Sequence, residues 1–181
     1  MKSLIITRGR FLKHRQIGVA AVEFALVSLL FFTLLFAVLE FGRLLFVFNT
    51  MQEVTRSAAH EATVSWIDQA AAIKQKALFG GGVIPGGAEV TAANIQIEYL
   101  DKSGNVITVF PTDPSDNLSA CNDITRAQSC IYSVRVSIVD TDGSGKGVFY
   151  APMVNLFSIL HIRLPISAVT VHAESLGFTV S

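Results

Sequence analysis

The sequence has 181 residues, enough for one domain or for a domain and a further segment. Its 14 basic and 14 acidic side chains cancel at pH 7, which excludes a polybasic nucleic-acid-binding protein on bulk charge. Hydrophobic residues make up 51% and charged residues only 15%, against about 25% charged residues in an ordinary soluble domain, so the chain has either a membrane segment or an unusually apolar surface.

Charge is distributed unevenly along the chain. Residues 1–18 hold five basic side chains and no acidic one, whereas residues 19–181 hold nine basic and 14 acidic side chains, a net charge of −5 with histidine neutral. The five basic residues are Lys2, Arg8, Arg10, Lys13 and Arg15. Basic residues directly before an apolar stretch are typical of its cytoplasmic flank.

An uninterrupted apolar stretch follows. Residues 24–39 carry no charge, and Ser28 and Thr33 are their only polar side chains. As a helix, residues 19–39 are about 32 Å long, which matches the roughly 30 Å hydrocarbon core of a bilayer. We therefore predict one transmembrane helix over residues 19–40, with the N-terminus in the cytoplasm and the rest of the chain across the membrane. A removable secretory signal is disfavoured, because the stretch is too long and no small-x-small cleavage motif follows it.

A single carboxylate, Glu23, lies near the start of the apolar stretch. A charge there costs up to about 3 kcal/mol, depending on its depth, and charges inside membrane segments commonly have a function. Glu23 is also only one turn into the span, where its side chain can reach the headgroups and where the helix dipole favours an acidic residue. The carboxylate alone leaves both interpretations open.

The residues around Glu23 form a more specific pattern. The segment from Gly18 to Phe24 reads Gly-Val-Ala-Ala-Val-Glu-Phe, between a basic leader and an apolar helix. It resembles the processing site of type IV pilin-like proteins, in the form found in the tight-adherence (Flp) branch. The resemblance implies that a prepilin peptidase cuts on the cytoplasmic side between Gly18 and Val19. Residues 1–18 would then be a discarded leader, and Glu23 would be the fifth residue of the mature chain.

Such a cut would leave the anchor attached and would create a charged α-amine at the membrane edge. When helices associate, the Glu23 carboxylate of one subunit can pair with the Val19 amine of its neighbour. Desolvation offsets much of this attraction, so the pair contributes a few kcal/mol at most and mainly specifies register.

Beyond the span, the sequence predicts an amphipathic helix over residues 41–79 that continues from the anchor. Apolar and small residues recur every three or four positions, and no proline occurs before Pro85. The predicted face packs on the downstream domain in preference to a separate coiled-coil partner. Its residues are Phe41, Leu45, Phe48, Met51, Thr55, Ala58, Ala62, Trp66, Ala70, Ile73 and Ala77.

Two further motifs follow the span. Glu40, Phe41, Gly42 and Arg43 stand at the membrane exit, and residues 49–56 read Asn-Thr-Met-Gln-Glu-Val-Thr-Arg, with Gln52, Glu53 and Arg56 as the distinctive positions. Together with Glu23 and Phe24, these motifs are similar to those of the TadE-like family of minor pilins, or pseudopilins. The resemblance covers about forty residues of the chain.

The resemblance to this family implies a protein that is not an enzyme and that takes part in the assembly or initiation of a tight-adherence pilus through helix packing. Its partners would be the prepilin peptidase, the major Flp pilin, other minor pilins and the platform proteins of the assembly machine. It would lie in the bacterial inner membrane with its C-terminal domain in the periplasm, whether or not it enters the fibre.

Residues 80–181 predict a small periplasmic domain, and the whole chain is assigned to the α+β class, in a type IV pilin-like arrangement of a long helix and an antiparallel sheet. Glycines 80–82 end the helix, and Pro85-Gly86-Gly87 indicates a flexible turn. Alternating apolar residues predict three or four strands, and Pro152 opens a short apolar helix. The strands are expected at residues 95–99, 106–110, 132–139 and 166–173, and the helix at 152–161.

Cys121 and Cys130 bracket eight residues of a polar loop. In an oxidising compartment beyond the inner membrane, a disulfide is favoured over two free thiols, and no histidine lies near enough in sequence to suggest a metal site.

The remaining motifs predict no catalytic or cofactor site. Asp140 and Asp142 begin a calcium-loop-like run, but Ala151 stands where an EF-hand needs its glutamate. No constellation of nucleophile and base can be specified, and no metal, cofactor or nucleic-acid partner is expected. The alternative function is an uncleaved, single-pass anchored periplasmic binding module in which Glu23 is incidental.

Overall fold

The computed structural model describes residues 16–153 and 161–178, with the backbone alone for Gln16 and Ile17. Its helices are α1 (Gln16–Val64), α2 (Ala70–Ala77) and α3 (Pro114–Asn122), and short 3-10 turns cover Ile67–Gln69, Ala92–Asn94 and Ile124–Ser129. Its strands are β1 (Val83–Ile84), β2 (Gly87–Thr91), β3 (Ile95–Leu100), β4 (Ser133–Ile138) and β5 (Ser167–His172). The α+β class predicted from the sequence is confirmed.

The chain divides into two compact units. The first ends at Leu39 and the second begins at Glu40, so the boundary falls inside α1. In the first unit, every side chain from Gly18 to Leu39 is exposed or half-buried. In the second unit, residues 40–64 of α1 pack against the strands and loops of the same unit.

The second unit is organised around a three-stranded antiparallel sheet in the order β3-β4-β5. In β4, Val134 and Val136 are fully buried, and the sheet contributes these side chains to the core together with Ile95 of β3. The helix α1 contributes Val47, Met51, Val54, Ala58, Ala59 and Ala62. Ala58, Ala59 and Ala62 allow close approach of the helix, and Thr55 Oγ1 lies 2.9 Å from Ser167 Oγ of β5 in a buried hydrogen bond.

The buried face of α1 is displaced from the predicted one at its N-terminal end. Phe41 and Leu45 are exposed, and the buried apolar residues begin at Val47, although Met51, Thr55, Ala58 and Ala62 are buried as predicted. The prediction was wrong for the first turns because most residues there are apolar, so that periodicity does not distinguish the inner face from the outer one.

The expected continuous helix over residues 41–79 is also corrected, because α1 ends at Val64 and α2 begins only at Ala70. The Thr63 carbonyl accepts hydrogen bonds from the backbone N–H groups of Glu174 at 3.2 Å and Leu176 at 3.0 Å. This carbonyl would otherwise accept from residue 67 in a continuing helix. The C-terminal segment therefore replaces the next intrahelical bond and ends α1.

Two segments predicted as turn or loop are ordered elements. Residues 83–91 form the hairpin β1–β2 around Pro85 and Gly86, where a flexible turn was expected. Helix α3 lies in the loop after Pro111, with Pro114 at its first position and the Asp113 side chain accepting from the Asp116 backbone N–H at 2.8 Å. A proline in the first turn and an aspartate at the N-cap are ordinary signals for the start of a helix, and the sequence contains both at α3.

The predicted strands 95–99, 132–139 and 166–173 correspond to β3, β4 and β5, whereas the strand predicted at 106–110 is absent from the described part of the chain. Val106 forms a single bridge to Leu100, and the chain then bends at residues 108–109 while the Phe110 ring packs on Tyr99, with ring centroids 5.9 Å apart. Most of the helix predicted at 152–161 lies outside the described residues.

The disulfide predicted between Cys121 and Cys130 is confirmed and joins the last turn of α3 to the end of the following 3-10 turn, three residues before β4 begins. Removing it with a Cys121→Ser and Cys130→Ser double substitution is expected to cost about 2.5 to 3 kcal/mol of unfolding free energy, because the bridge closes a loop of about ten residues in the unfolded chain. Urea unfolding of the oxidised, reduced and substituted protein measures this cost. Equal stability of the oxidised and substituted forms would contradict it.

Candidate functional site

The first candidate region is the start of α1, which carries the predicted processing residues. Gly18, Val19, Glu23 and Phe24 are all helical and exposed. A Cβ built on Gly18 meets no atom within 4 Å. The part of α1 from Gly18 onwards is both long enough and apolar enough to cross a membrane. This exposed apolar surface supports membrane anchoring of the chain.

The second candidate region is a cluster of charged residues in the second unit that includes the Glu40 and Arg43 motif positions. Glu40 is only 5% exposed, and Arg43 lies one turn further along α1 with its Nη1 at 3.2 Å from Glu40 Oε1. Glu89 on β2 completes the charged set, with Oε2 at 3.3 Å from Arg43 Nη2. Two carboxylates therefore share one guanidinium in a poorly hydrated environment.

The guanidinium of Arg43 also binds the backbone of two separate loops. Its Nε donates to the Gly86 carbonyl at 2.8 Å, and its Nη1 donates to the Ala151 carbonyl at 2.8 Å. The same side chain lies over the Tyr150 ring, with Cζ 4.9 Å from the ring centroid. A planar group with five donors can satisfy such divergent acceptors, whereas a lysine ammonium at the same place could not.

Tyr150 is fully buried and connects the same two α1 residues. Its hydroxyl donates a short hydrogen bond to Glu40 Oε1 and accepts from Arg43 Nη1 at 3.0 Å, while the Met153 backbone N–H donates to Glu40 Oε1 at 3.2 Å. Burial, with the adjacent Glu40, raises the pKa of Tyr150 to about 12. The hydroxyl therefore remains a protonated donor to Glu40 throughout the physiological pH range.

This arrangement ties the start of the second unit to its distant parts. Glu40 and Arg43 on α1 contact the hairpin β1–β2 and the segment from Tyr150 to Met153, more than a hundred residues later in sequence. A buried ion pair is weak evidence for added stability. It nevertheless requires a defined geometry, because a charge left unpaired in the interior costs free energy. The cluster therefore specifies how the hairpin and this segment pack on α1.

The other motif residues are arranged differently. Gln52 and Arg56 lie with Phe48 beside the β5 residues Ser167 and Val169, along a shallow pocket, and Glu53 is exposed. Phe41 is exposed, and a Cβ built on Gly42 meets no atom within 4 Å. The structure thus brings Glu40 and Arg43 together but does not join them to Gln52, Glu53 and Arg56 in one site.

Glu89 and Tyr150 are the functional partners that the sequence reasoning missed. Glu89 is the only charged residue between Lys76 and Glu98, and it occurs in β2, a strand that was not predicted. That isolation in a glycine-rich apolar stretch was the available signal for Glu89. Tyr150 has no local signal, because its partners are α1 residues that only the fold brings close.

Asp140 and Asp142, the two acidic residues of the calcium-like loop, both form ion pairs with Arg163. Arg163 Nη1 lies 3.1 Å from Asp140 Oδ2, and its Nη2 lies 3.5 Å from Asp142 Oδ2. Among the residues that the structure describes, no group of three or more histidine, cysteine or acidic side chains has the geometry to hold a metal ion.

Within the described residues, the geometry is that of one long apolar helix and an α+β domain fixed to residues 40–64 of that helix by a buried charge cluster. The model of the TadE-like protein family matches residues 18–60, so this part of the chain is TadE-like, as its motifs indicated. The match covers the Gly18–Phe24 segment, the apolar stretch, Glu40 and Arg43, and residues 49–56. No curated protein and no solved structure matches the chain.

Proposed function

We propose that the protein is a minor pilin, or pseudopilin, of a tight-adherence pilus. A prepilin peptidase removes residues 1–18, and the mature chain takes part in pilus assembly or initiation through packing of its apolar helix against other pilins in the inner membrane. The observation that carries this proposal is the family match over residues 18–60, which contains the Gly18–Phe24 motif and the apolar helix in one continuous segment.

The exposed face of the helix supports this function. Between Gly18 and Leu39, the side chains have no packing partners within the described chain that would bury them. In a membrane, association of such helices depends on van der Waals packing and on the few polar groups present. Glu23 is the only charged residue there, so pairing with the Val19 amine of a neighbouring subunit would specify the register.

The charge cluster supports a structural role for the second unit. Glu40 and Arg43 follow the apolar stretch directly, and they fix the hairpin and the Tyr150–Met153 segment to α1. A displacement of residues 40–64 of α1 would therefore move the hairpin and the Tyr150–Met153 segment with it. This is what an assembling subunit needs when it is moved out of the membrane.

The proposal is tested by co-purification of the full-length, C-terminally tagged protein with the major pilin, after co-expression with the prepilin peptidase. We expect the wild-type protein to recover the major pilin and Glu23→Gln to recover about 5-fold less or lower, because the loss of one helix-to-helix charge pair costs about 1 kcal/mol or more. Cleavage should continue in the variant, since the scissile bond is unchanged.

Glu53→Gln is the matched control, because Glu53 is an exposed glutamate on the same helix and lies outside the apolar stretch. Its recovery of the major pilin should equal that of the wild type. Failure of the wild-type protein to recover any pilin would contradict the proposed function and favour the uncleaved, anchored binding module. Equal losses in the two variants would reject the specific role of Glu23.

A further inference from the structure

The second unit has a ten-residue stretch, residues 79–88, without a polar side chain. Residues 79–87 read Phe-Gly-Gly-Gly-Val-Ile-Pro-Gly-Gly, and Ala88 follows before Glu89. No side chain in this stretch can form a hydrogen bond. It connects α2 to the hairpin β1–β2 and forms β1 and the start of β2, and it lines an open groove of about 630 Å³ together with Arg43, Leu78 and Met153.

Large apolar side chains stand exposed along this groove. Phe79 is 63% exposed and Met153 78% exposed, and Val83 is also exposed. The exposed ring of Phe46 continues the same surface, because a Cβ built on Gly86 would lie 3.3 Å from it. A contiguous exposed apolar surface on a folded domain indicates a contact with a partner or a membrane.

Phenylalanine is an unfavourable residue at position 79 when only the stability of the folded domain is considered. Its φ of 56° lies in the left-handed region, which a bulky residue adopts at a cost and which glycine or asparagine would adopt more easily. Glycine follows it directly at position 80, so the helix end has a suitable residue next to it. Neither backbone geometry nor burial explains a phenylalanine here, which suggests that its exposed ring has a contact outside the domain.

Arg43 is the one charged residue among the described residues that line the groove, and it does not make the groove polar. The Arg43 guanidinium is occupied by Glu40, Glu89 and two backbone carbonyls, as described above. The groove therefore presents hydrocarbon and aromatic surface with no unpaired charge to attract an acidic or basic peptide.

Covalent connection keeps this surface near the bilayer. Arg43 is four residues beyond Leu39, the last residue of the apolar stretch, and both residues are helical in α1, where four residues rise about 6 Å. The headgroup region on each side of a hydrocarbon core is several ångströms thick, and interfacial protein segments bury their apolar side chains about 5–10 Å into it. The groove is thus within reach of the leaflet from which α1 emerges.

From these observations we infer that the groove of Phe79, Val83, Pro85 and Met153 is a membrane contact, which inserts into the boundary between headgroups and acyl chains of that leaflet. The recognised partner is a lipid bilayer surface, and recognition is apolar, so it does not depend on anionic lipid. The inference rests on membrane anchoring by α1 and not on processing at Gly18, so it applies equally to a cleaved and an uncleaved chain.

The test is fluorescence quenching of the full-length protein reconstituted in phosphatidylcholine vesicles, with and without lipid brominated near the headgroup. Each variant carries one added tryptophan, and the quenching of the parent protein, which contains Trp66, is subtracted. We expect Phe79→Trp to lose most of its added fluorescence in the brominated vesicles. The same loss is expected without anionic lipid and at high salt.

Two further variants make the result specific. Ile124→Trp, at a residue 92% exposed on the turn after α3, should be unquenched. Phe31→Trp, within the apolar stretch, should be quenched by lipid brominated deep in the acyl chain. No quenching of Phe79→Trp, or equal quenching of Phe79→Trp and Ile124→Trp, would overturn the inference. If Phe31→Trp were also unquenched, membrane anchoring itself would fail, and a failure confined to Phe79→Trp would leave anchoring and the pilin function intact.

Thermal unfolding tests whether Phe79 instead has a purely structural role in the domain. We expect Phe79→Asn to leave the Tm of the domain unchanged or to raise it, because asparagine tolerates the left-handed backbone that phenylalanine resists. A lower Tm would show that the ring stabilises the domain itself and would overturn the argument drawn from its exposure.

Discussion

Replacing Arg43 with alanine is expected to destabilise the second unit by about 3 to 5 kcal/mol. The substitution removes the cation shared by Glu40 and Glu89, and it removes donors to the Gly86 and Ala151 carbonyls. Breaking a buried pair by deleting one partner is costly in this range because the remaining charges stay buried without compensation. Among the residues that the structure describes, Glu89 Oε1 already has no hydrogen-bond partner, and none of them provides a donor to replace the arginine.

Urea unfolding of the full-length protein in detergent measures this loss, with fluorescence of Trp66 as the signal because that side chain packs against the core. Arg56→Ala is the matched control, since Arg56 is an exposed arginine on the same helix, and it should change stability by no more than about 0.5 kcal/mol. Arg43→Lys should recover little of the loss, because an ammonium cannot reach the same divergent acceptors. Equal stability of Arg43→Ala and Arg56→Ala would contradict the structural role of the cluster.

The second large effect is expected at Gly18. A side chain at this position would occupy the peptidase subsite that the motif leaves empty, so Gly18→Leu should reduce cleavage by the prepilin peptidase about 100-fold or more, a loss typical of misplacing a reacting bond. The structure separates this effect from folding, because a Cβ at Gly18 meets no atom within 4 Å. The substitution has no packing reason to disturb the chain.

Gly42→Leu is the matched control for Gly18→Leu. Gly42 is also helical and exposed, and a Cβ there also meets no atom within 4 Å. Its cleavage should equal that of the wild type when the two precursors are followed by gel mobility during co-expression with the peptidase. Equal processing of Gly18→Leu and wild type would remove Gly18 from the proposed site.

Local patterns in the sequence were sufficient to predict the long apolar helix, the three strands of the sheet and the disulfide. Each depends on a pattern within one segment: the absence of charge over residues 24–39, alternation in β3, β4 and β5, and two cysteines in a short loop. The same holds for Glu40 and Arg43, whose importance was indicated by the motif at the membrane exit.

The features that sequence reasoning missed depend on contacts between distant segments. Helix α1 ends at Val64 because Glu174 and Leu176 donate to the Thr63 carbonyl, and periodicity in residues 41–79 does not contain that information. The partners of Arg43 on β2 and at Tyr150 are likewise set by the fold. The hairpin β1–β2 was overlooked for another reason, because its glycines and proline are typical of turns and hide a short pair of strands.

Intact-mass analysis of the membrane-purified wild-type protein, co-expressed with its prepilin peptidase, tests the central claim most directly. The proposed function predicts removal of 18 of the 181 residues, so that the mature protein begins at Val19, carries a net charge of −5 and retains its apolar helix. A protein that still begins at Met1 under these conditions would contradict the processing step and with it the assignment as a pilin.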